Sequence, residues 1–273
     1  AELIGISASM ANRHGLVAGA TGTGKTATLR TLAEGFSRAG VPVFTADVKG
    51  DLAGLAYPGS ASSTLSERLK QIPIQAHTFR GYPVLFWDPY CKRGQPLRTT
   101  ISELGPVLLA RILDLNQVQA GILSAIFKLS DDQGLLLLDC KDLRALLGWA
   151  AENASALQVE YGNITRASIG TIQRELLLLE ESGGESFFGE PALRLEHLMQ
   201  RDFSGNGVIS ILDATTLINN PRIYSTMLLW LLSELFEQLP EIGDVDKPVL
   251  VFFFDEAHLL FSGAPKALSL IHI

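Results

Sequence analysis

The sequence has 273 residues, of which 47% are hydrophobic and 19% charged, and its formal net charge is −7. This length and apolar content predict a globular chain with a sizeable core and exclude an intrinsically disordered protein. The acidic balance excludes a generally basic protein that coats nucleic acid, although it leaves room for a locally basic surface.

Membrane and secretory segments are not indicated. The apolar runs Leu135–Leu138 and Val249–Phe254 are far shorter than the roughly 20 residues of a membrane span. Ala1–Met10 lacks the basic and apolar regions of a secretory signal. Cys91 and Cys140 have no CxxC spacing and predict neither a disulfide framework nor a zinc site. We therefore expect a cytoplasmic protein with no membrane association and two reduced thiols.

Strand-like and helix-like stretches alternate in the first part of the chain. His14–Ala18 predicts a short strand that runs into a glycine-rich turn. Lys25–Arg38 has helical composition, and Thr64–Glu67 forms a capping box that predicts the start of another helix. Val41–Ala46 and Val84–Trp87 are further strand candidates. This alternation predicts a mostly parallel sheet covered by helices.

The middle of the chain, from residue 100 to 201, has apolar residues at helical spacing and predicts an inserted helical subdomain. Val208–Leu212 then predicts a strand, and a helix follows from Pro221 until Pro240 stops it. Val249–Phe254 is a continuous apolar run, which is typical of a central strand buried on both faces. The predicted division is 1–99 and 205–267 for a core that contains the sheet, 100–204 for the helical insertion, and 268–273 for a non-native tail.

A complete GxxxxGKT motif follows the first predicted strand and opens the first predicted helix. Glycines let backbone N–H groups approach phosphate oxygens closely. Lys25 would reach the β- and γ-phosphates and act in catalysis, and the Thr26 hydroxyl would bind Mg²⁺. The alternative, a glycine-rich turn with an incidental lysine, fits the complete spacing poorly. The predicted nucleotide-binding residues are Gly19, Ala20, Thr21, Gly22, Thr23, Gly24, Lys25 and Thr26.

Two adjacent carboxylates follow the last predicted strand. Asp255 is placed to hold Mg²⁺ through its water shell, and Glu256 is placed to orient and deprotonate the attacking water. On its own, such a pair is often a solvated turn, but the upstream phosphate loop favours the catalytic interpretation. Separate roles for adjacent carboxylates indicate the RecA-like branch of P-loop NTPases. We expect ATP and Mg²⁺ as cofactors, and a structural role for His258.

Other aspartates also end predicted strands. The Asp47–Asp51 segment is either a turn built on Asx and glycine chemistry or a loop near nucleotide or DNA, and the sequence leaves both possibilities open. For Asp88 and Asp213 we expect turn capping. A basic group is more simply a solvated loop than a nucleic-acid contact, and its members are Arg80, Lys92, Arg93 and Arg98. Core packing is expected for Trp87, Trp149 and Trp230.

Several segments together resemble the bacterial HerA-like helicase family of ATPases. The resemblance implies a RecA-like core with a helical insertion, related to the hexameric HerA and FtsK translocases that thread double-stranded DNA through a pore. It therefore implies a DNA partner, with duplex favoured, and a homo-oligomer, with a hexamer favoured. The segments that carry it are Asn12–Thr26, Asp47–Asp51, Phe86–Asp88, Phe187–Glu190 and Phe252–His258.

The sequence departs from that family at both ends. There is no room before Gly19 for the N-terminal β-barrel of HerA. After Asp255 and Glu256 the family's further strands, polar sensor and arginine are not visible, and Leu268–Ile273 resembles a translated sequencing adapter. We therefore expect a fragment that binds nucleotide and turns it over weakly. The leading function is an ATP-driven motor on DNA; the alternatives are an ATP-dependent switch or assembly factor for protein partners and a catalytically silent nucleotide-binding module.

Overall fold

The structure is a computed structural model that describes residues 5–71, 78–239, 243 and 245–257. The predictions for Pro240, His258 and the tail 268–273 lie outside these residues. Within them, the chain forms two compact units. The first combines the described residues within 5–87, 194–215 and 238–255, and the second combines those within 88–193, 216–237 and 256–257.

A five-stranded sheet has the order β3-β2-β4-β1-β5. β1 pairs in parallel with β4 and with β5, and β2 pairs in parallel with β4. The predicted α/β fold class with a mostly parallel sheet is therefore confirmed. The strands are β1 (Val43–Asp47), β2 (Val84–Asp88), β3 (Gln95–Pro96), β4 (Ile209–Asp213) and β5 (Val251–Phe254).

Helices occupy most of the chain between the strands, and the predicted helical stretch after residue 100 is confirmed. The predicted first helix is also found with the expected bounds. The helices are α1 (Lys25–Arg38), α2 (Ser63–Gln71), α3 (Ile101–Ile112), α4 (Gln117–Asp132), α5 (Cys140–Glu152), α6 (Ala154–Tyr161), α7 (Arg166–Leu179), α8 (Glu185–Phe187) and α9 (Pro221–Gln238).

The core of the first unit lies between α1 and one face of the sheet. Ala33 of α1 is buried with Val43 of β1 and Ile211 of β4. Phe36 of α1 packs beside Phe253 of β5, with ring centroids 6.2 Å apart. Each large apolar side chain that is fully buried here contributes roughly 1.5–3 kcal/mol. This packing holds α1 against the sheet, and α1 carries the candidate phosphate loop at its start.

The second unit is helical, and side-chain caps set where its helices begin. Thr100, Asn116 and Asp139 form capping boxes at the starts of α3, α4 and α5. Such caps satisfy backbone N–H groups that the first helical turn cannot satisfy itself. One side of α9 is buried, and its members are Tyr224, Met227, Leu228, Leu231 and Leu235. Within the described ranges, no helix is both long and apolar enough to cross a membrane.

Two strand predictions are wrong in position. Residues 14–18 form no strand, and Leu16 is 87% exposed. The residues from 12 to 18 pair with none of the five strands and are all exposed, so the apolar pattern alone does not make a strand here. The other strand, β5, ends the strand order and all four of its residues are only half-buried. It is therefore an edge strand among the described residues, not the central strand that its apolar run predicts.

Two local predictions also need correction. α2 begins at Ser63, and the Leu65 N–H donates to the Ser62 hydroxyl oxygen at 3.1 Å, so the capping hydroxyl lies two residues before Thr64. Trp149 is 48% exposed rather than in a core, because it lies on the solvent side of α5. Trp87 and Trp230 are buried as expected.

Gly207 provides a test of the first unit's packing. A Cβ at this position would lie 2.1 Å from the Val41 carbonyl oxygen and 2.5 Å from the Pro42 nitrogen. Because both contacts are to backbone, we expect Gly207→Ala to lower the free energy of unfolding by about 3 kcal/mol. Gly35→Ala is the matched control in α1, where a Cβ meets nothing within 4 Å. We expect it to stabilise by about 0.5–1 kcal/mol. Equal denaturation midpoints for the two variants would contradict this packing.

Candidate nucleotide site

The loop before α1 has a backbone that requires glycine at two positions. Gly22 has φ +81° and Gly24, the N-cap of α1, has φ +99°. L-residues with a Cβ rarely adopt this left-handed region. The first N–H groups of α1 have no intrahelical acceptor, and the helix dipole is positive at this end. The loop and helix start therefore form a favourable position for an anion such as a phosphate.

Lys25 and Thr23 fold back onto the loop. The Lys25 Nζ donates to the carbonyl oxygens of Gly19 at 2.8 Å and Ala20 at 3.2 Å. The Thr23 hydroxyl also donates to the Ala20 carbonyl oxygen, at 2.7 Å. A Cβ at Gly19 would lie only 2.4 Å from the Thr23 Oγ1. In this conformation a side chain at position 19 would therefore force Thr23 to change its rotamer.

The start of α1 lies at the carboxyl edge of the sheet. Only four residues separate the end of α1 from β1, so the helix runs antiparallel to the strand beside it. Arg30, in the first half of α1, donates through its guanidinium to the Asp51 carbonyl oxygen, just after the end of β1. The phosphate loop and the loop after β1 therefore share one edge of the sheet, which is where open α/β sheets bind ligands.

Asp47 organises the loop that follows β1. Its Oδ1 accepts from the N–H groups of Gly50 at 2.8 Å and Asp51 at 3.1 Å, and its Oδ2 accepts from Leu52 at 2.8 Å. Asp47 is 3% exposed, so these three bonds satisfy a buried carboxylate. Of the two interpretations that the sequence left open for this segment, the contacts support the turn.

Asp255 ends β5 at the same edge as the phosphate loop. Phe254 pairs in register with Ala46, so Asp255 follows at the level of Asp47. Asp255 is 4% exposed, whereas Glu256, the next residue, is half-exposed and has φ +53°. A glutamate in the left-handed region costs of order 1–3 kcal/mol, and such residues cluster at functional sites. Asp255 is the last residue of the first unit, and Glu256 is in the second unit.

Turn capping is confirmed for the other two aspartates. Asp88 accepts from the N–H groups of Tyr90, Lys92 and Arg93, each at 2.8 Å. Asp213 accepts from the Thr215 N–H at 3.1 Å and from its hydroxyl at 2.6 Å. Their oxygens are directed at their own loops by these bonds.

The basic residues predicted as one solvated loop have separate structural contacts. Arg98 donates to the carbonyl oxygens of Ser186 at 3.1 Å and Glu190 at 2.9 Å, which ties together parts of the second unit. Arg80 belongs to the first unit and donates to the Asn206 side chain at 3.4 Å. The Lys92 amine lies 5.8 Å from the Tyr90 ring centroid.

The side chains present fit a magnesium nucleotide better than a protein-caged metal. In the part of the chain that the structure describes, no three His, Cys, Asp or Glu side chains are grouped to hold an ion. Burial raises the pKa of the Cys140 thiol to about 12, so it stays protonated and is a poor ligand. Mg²⁺ commonly binds one or two protein oxygens together with water and substrate phosphates. Thr26 and Asp255 are of the right chemistry for that role.

Sequence reasoning missed two residues at this site, Thr23 as the neighbour of Gly19 and Arg30 as the partner of the loop after β1. Arg30 lies four residues after Thr26, on the same side of α1. Helical spacing from the motif could therefore have indicated it. Thr23 occupies a variable position of the motif, and only the coordinates reveal its contact with Gly19.

Comparisons with known proteins identify a family and a similar solved structure. A family model described as "Helicase HerA-like C-terminal" matches residues 1–270. Among solved structures, the bacterial conjugative coupling protein TrwBdeltaN70, in a trigonal form in complex with sulphate, is similar at 13% identity with a TM-score of 0.47. The likeness covers 90% of this chain and 66% of that one, so the chain spans just under two thirds of its length. No curated protein matches the sequence.

The contact between Gly19 and Thr23 predicts a double-mutant effect. Gly19→Ala should weaken nucleotide binding at least tenfold, because the new methyl group collides with the Thr23 hydroxyl. In a Thr23→Ala background the nearest remaining atom, the Cβ, would be 3.5 Å away, an ordinary contact. We expect Gly19→Ala to cost much less there, measured by titration with a fluorescent ATP analogue. An equal loss in both backgrounds would show that this contact is not what requires glycine.

The Asp47 bonds predict a structural role that can be separated from nucleotide binding. Asp47→Ala leaves three backbone N–H groups without their acceptor, so we expect a loss of about 2–3 kcal/mol in stability. Asp51→Ala removes an exposed carboxylate from the same loop and should change stability by less than about 0.5 kcal/mol. Thermal unfolding measures both. Loss of nucleotide affinity in Asp47→Ala without loss of stability would favour the interpretation as a nucleotide contact.

Proposed function

The chain belongs to the HerA-like helicase C-terminal family, and from this premise we propose that it is the ATP-hydrolysing motor core of a DNA translocase or helicase. The family supports a P-loop ATPase of the HerA/FtsK type. The proposal adds the substrate, DNA, and the work done on it. One observation carries it: the start of α1, with its GxxxxGKT loop, and the buried Asp255 lie at the same carboxyl edge of a parallel sheet.

The residues have distinct roles in this proposal. The loop from Gly19 to Gly24 and the start of α1 bind the phosphates through backbone N–H groups. Lys25 exchanges its bonds to the loop carbonyls for bonds to phosphate oxygens, where its charge stabilises the transferring group. Thr26 and Asp255 hold Mg²⁺, which neutralises phosphate charge. Glu256 orients the attacking water and accepts its proton.

The proposed partners follow from the motor function. We propose that the complete protein acts on double-stranded DNA in the cytoplasm as a homo-oligomer, and that the oligomer is a hexamer. The net charge of −7 requires the DNA contacts to be a local cationic surface rather than the whole exterior.

The proposal is tested by measuring ATP hydrolysis by the full-length gene product with and without duplex DNA. We expect DNA to raise the turnover rate several-fold, because a motor couples hydrolysis to its track. Lys25→Ala should abolish both basal and stimulated turnover by removing phosphate binding. Steady hydrolysis that duplex DNA does not change would contradict a DNA motor and favour an ATP-dependent switch that acts on protein partners.

The two adjacent carboxylates give a separate prediction. Glu256→Gln keeps the side-chain size but cannot accept the proton, so ATP binding should persist while hydrolysis slows by about 10² or more. Asp255→Asn should also weaken the Mg²⁺-dependent part of ATP binding. Calorimetric titration with and without Mg²⁺, combined with single-turnover hydrolysis, separates the two effects. If both variants lose binding equally, or if Glu256→Gln hydrolyses ATP at the parent rate, the assigned roles are wrong.

A further inference from the structure

A tight hairpin precedes β4 at the amino edge of the sheet. Arg201 and Gly207 pair across its base, and the Asp202 N–H donates to the Asn206 carbonyl oxygen at 2.9 Å. The Asp202 carboxylate accepts from the N–H groups of Ser204 at 2.9 Å and Asn206 at 2.8 Å, and from the Asn206 side chain at 3.0 Å. Hydrogen bonds within the turn therefore fix its conformation.

This fixed turn presents Phe203 to solvent. The Phe203 side chain is fully exposed, while Asp202 and Asn206 on the same turn are partly buried. A single exposed apolar side chain is ordinary on protein surfaces. An aromatic ring held out by a preorganised turn loses little further entropy when it stacks on a ligand, which distinguishes it from a ring on a flexible segment.

Two hydrogen bonds join the hairpin to the end of α1, so cationic side chains from other segments lie next to the hairpin. The Ser37 hydroxyl donates to the Gly207 carbonyl oxygen at 2.7 Å, and the Gly207 N–H donates to the Ser37 carbonyl oxygen at 2.8 Å. Arg38 is the next residue of α1 and is exposed. A Cβ at Gly40 would lie 2.8 Å from the Gly205 carbonyl oxygen and 3.3 Å from the Lys247 Nζ.

Arg80 completes the group on the other side of the hairpin. Its guanidinium donates to Asn206 at 3.4 Å and lies 5.0 Å from the centroid of the Tyr82 ring. Arg38 and Arg80 both act electrostatically on Tyr82, and Arg80 on Asp202, which places these charges together.

The local charge balance differs from that of the chain. Four cationic side chains surround the hairpin, Arg38, Arg80, Arg201 and Lys247, against three acidic ones, Glu34, Asp202 and Asp246. The whole chain has 22 basic and 29 acidic residues. Two of these three acidic side chains already accept hydrogen bonds. Asp202 accepts from its own turn, and Glu34 accepts from the Tyr82 hydroxyl at 3.4 Å. The surface therefore combines three arginine side chains with an exposed ring, and one of the three, Arg80, also donates to Asn206.

We propose that this amino-edge surface, the hairpin Arg201–Gly207 with Arg38, Arg80 and Lys247, binds single-stranded nucleic acid, with a base stacked on Phe203 and phosphates on the arginines. Stacking on an aromatic side chain together with cationic backbone contacts is the general mode of such binding. The surface lies at the opposite edge of the sheet from the start of α1, so it leaves the nucleotide site free. The inference rests on the proposed function in taking nucleic acid as the partner, and it goes beyond that function because the proposed track is duplex DNA whereas this surface takes a single strand.

The test is fluorescence anisotropy with a labelled 20-nucleotide oligo-dT and a matched 20-base-pair duplex. We expect Phe203→Ala to weaken oligo-dT binding by about tenfold and Phe203→Trp to preserve it. Arg201→Ala should lower the slope of log affinity against log salt by about 0.7, whereas Phe203→Ala should leave the slope unchanged. Phe236→Ala, which removes an exposed phenylalanine from α9, is the matched control and should bind like the parent.

Other results would overturn the inference. Parent-like binding of oligo-dT by Phe203→Ala, or no binding by the parent, excludes the surface as a single-strand site. A loss for the duplex alone assigns it to double-stranded DNA. A fall in oligomer mass by sedimentation with unchanged oligo-dT binding assigns it to a second copy of the chain. Duplex-stimulated ATP hydrolysis by the parent, together with parent-like oligo-dT binding by Phe203→Ala, would keep the proposed function and reject this inference. Phe203-dependent oligo-dT binding without duplex-stimulated hydrolysis would do the reverse.

Discussion

β1 is hydrogen-bonded in parallel to β4 on one side and to β5 on the other, and this double ladder determines where the loops of the first unit can lie. Its register matches Asp47 with Asp213 and brings Asp255 to the same level, so three strands end together. Because α1 returns antiparallel to β1, its start reaches that same edge. A one-residue slip would reverse the faces of β1 and move Asp47 away from the level of Asp213 and Asp255.

Similar aspartates have different environments at these strand ends. Asp47 and Asp88 each accept from three backbone N–H groups of the loop that follows, so their carboxylates shape the chain itself. Asp213 holds Thr215 in the same manner. Asp255 has the same position in the sheet and is followed by Glu256, whose backbone is left-handed. The chemistry of a strand-end carboxylate therefore depends on which N–H groups the next few residues supply.

The sequence predicted best those features that local chemistry determines. The bounds of α1 follow from a glycine N-cap and an uninterrupted helical run, and turn capping by Asp88 and Asp213 follows from the residues beside them. The strand at His14–Ala18 and the central place of Val249–Phe254 were wrong, because the burial of a strand depends on a distant neighbour. The contact between Thr23 and Gly19 and the reach of Arg30 to Asp51 depend on loop conformation, which residue spacing does not encode.

The two hydrogen bonds between Ser37 and Gly207 make α1 a mechanical connection as well as a structural one. The helix has 14 residues and is about 21 Å long, with the phosphate loop at one end and the Phe203 hairpin at the other. A tilt of the helix at its first turn would also displace its last turn, together with the hairpin that is hydrogen-bonded there. The candidate phosphate loop and the amino-edge surface therefore lie at opposite ends of one helix and would move together if it tilted.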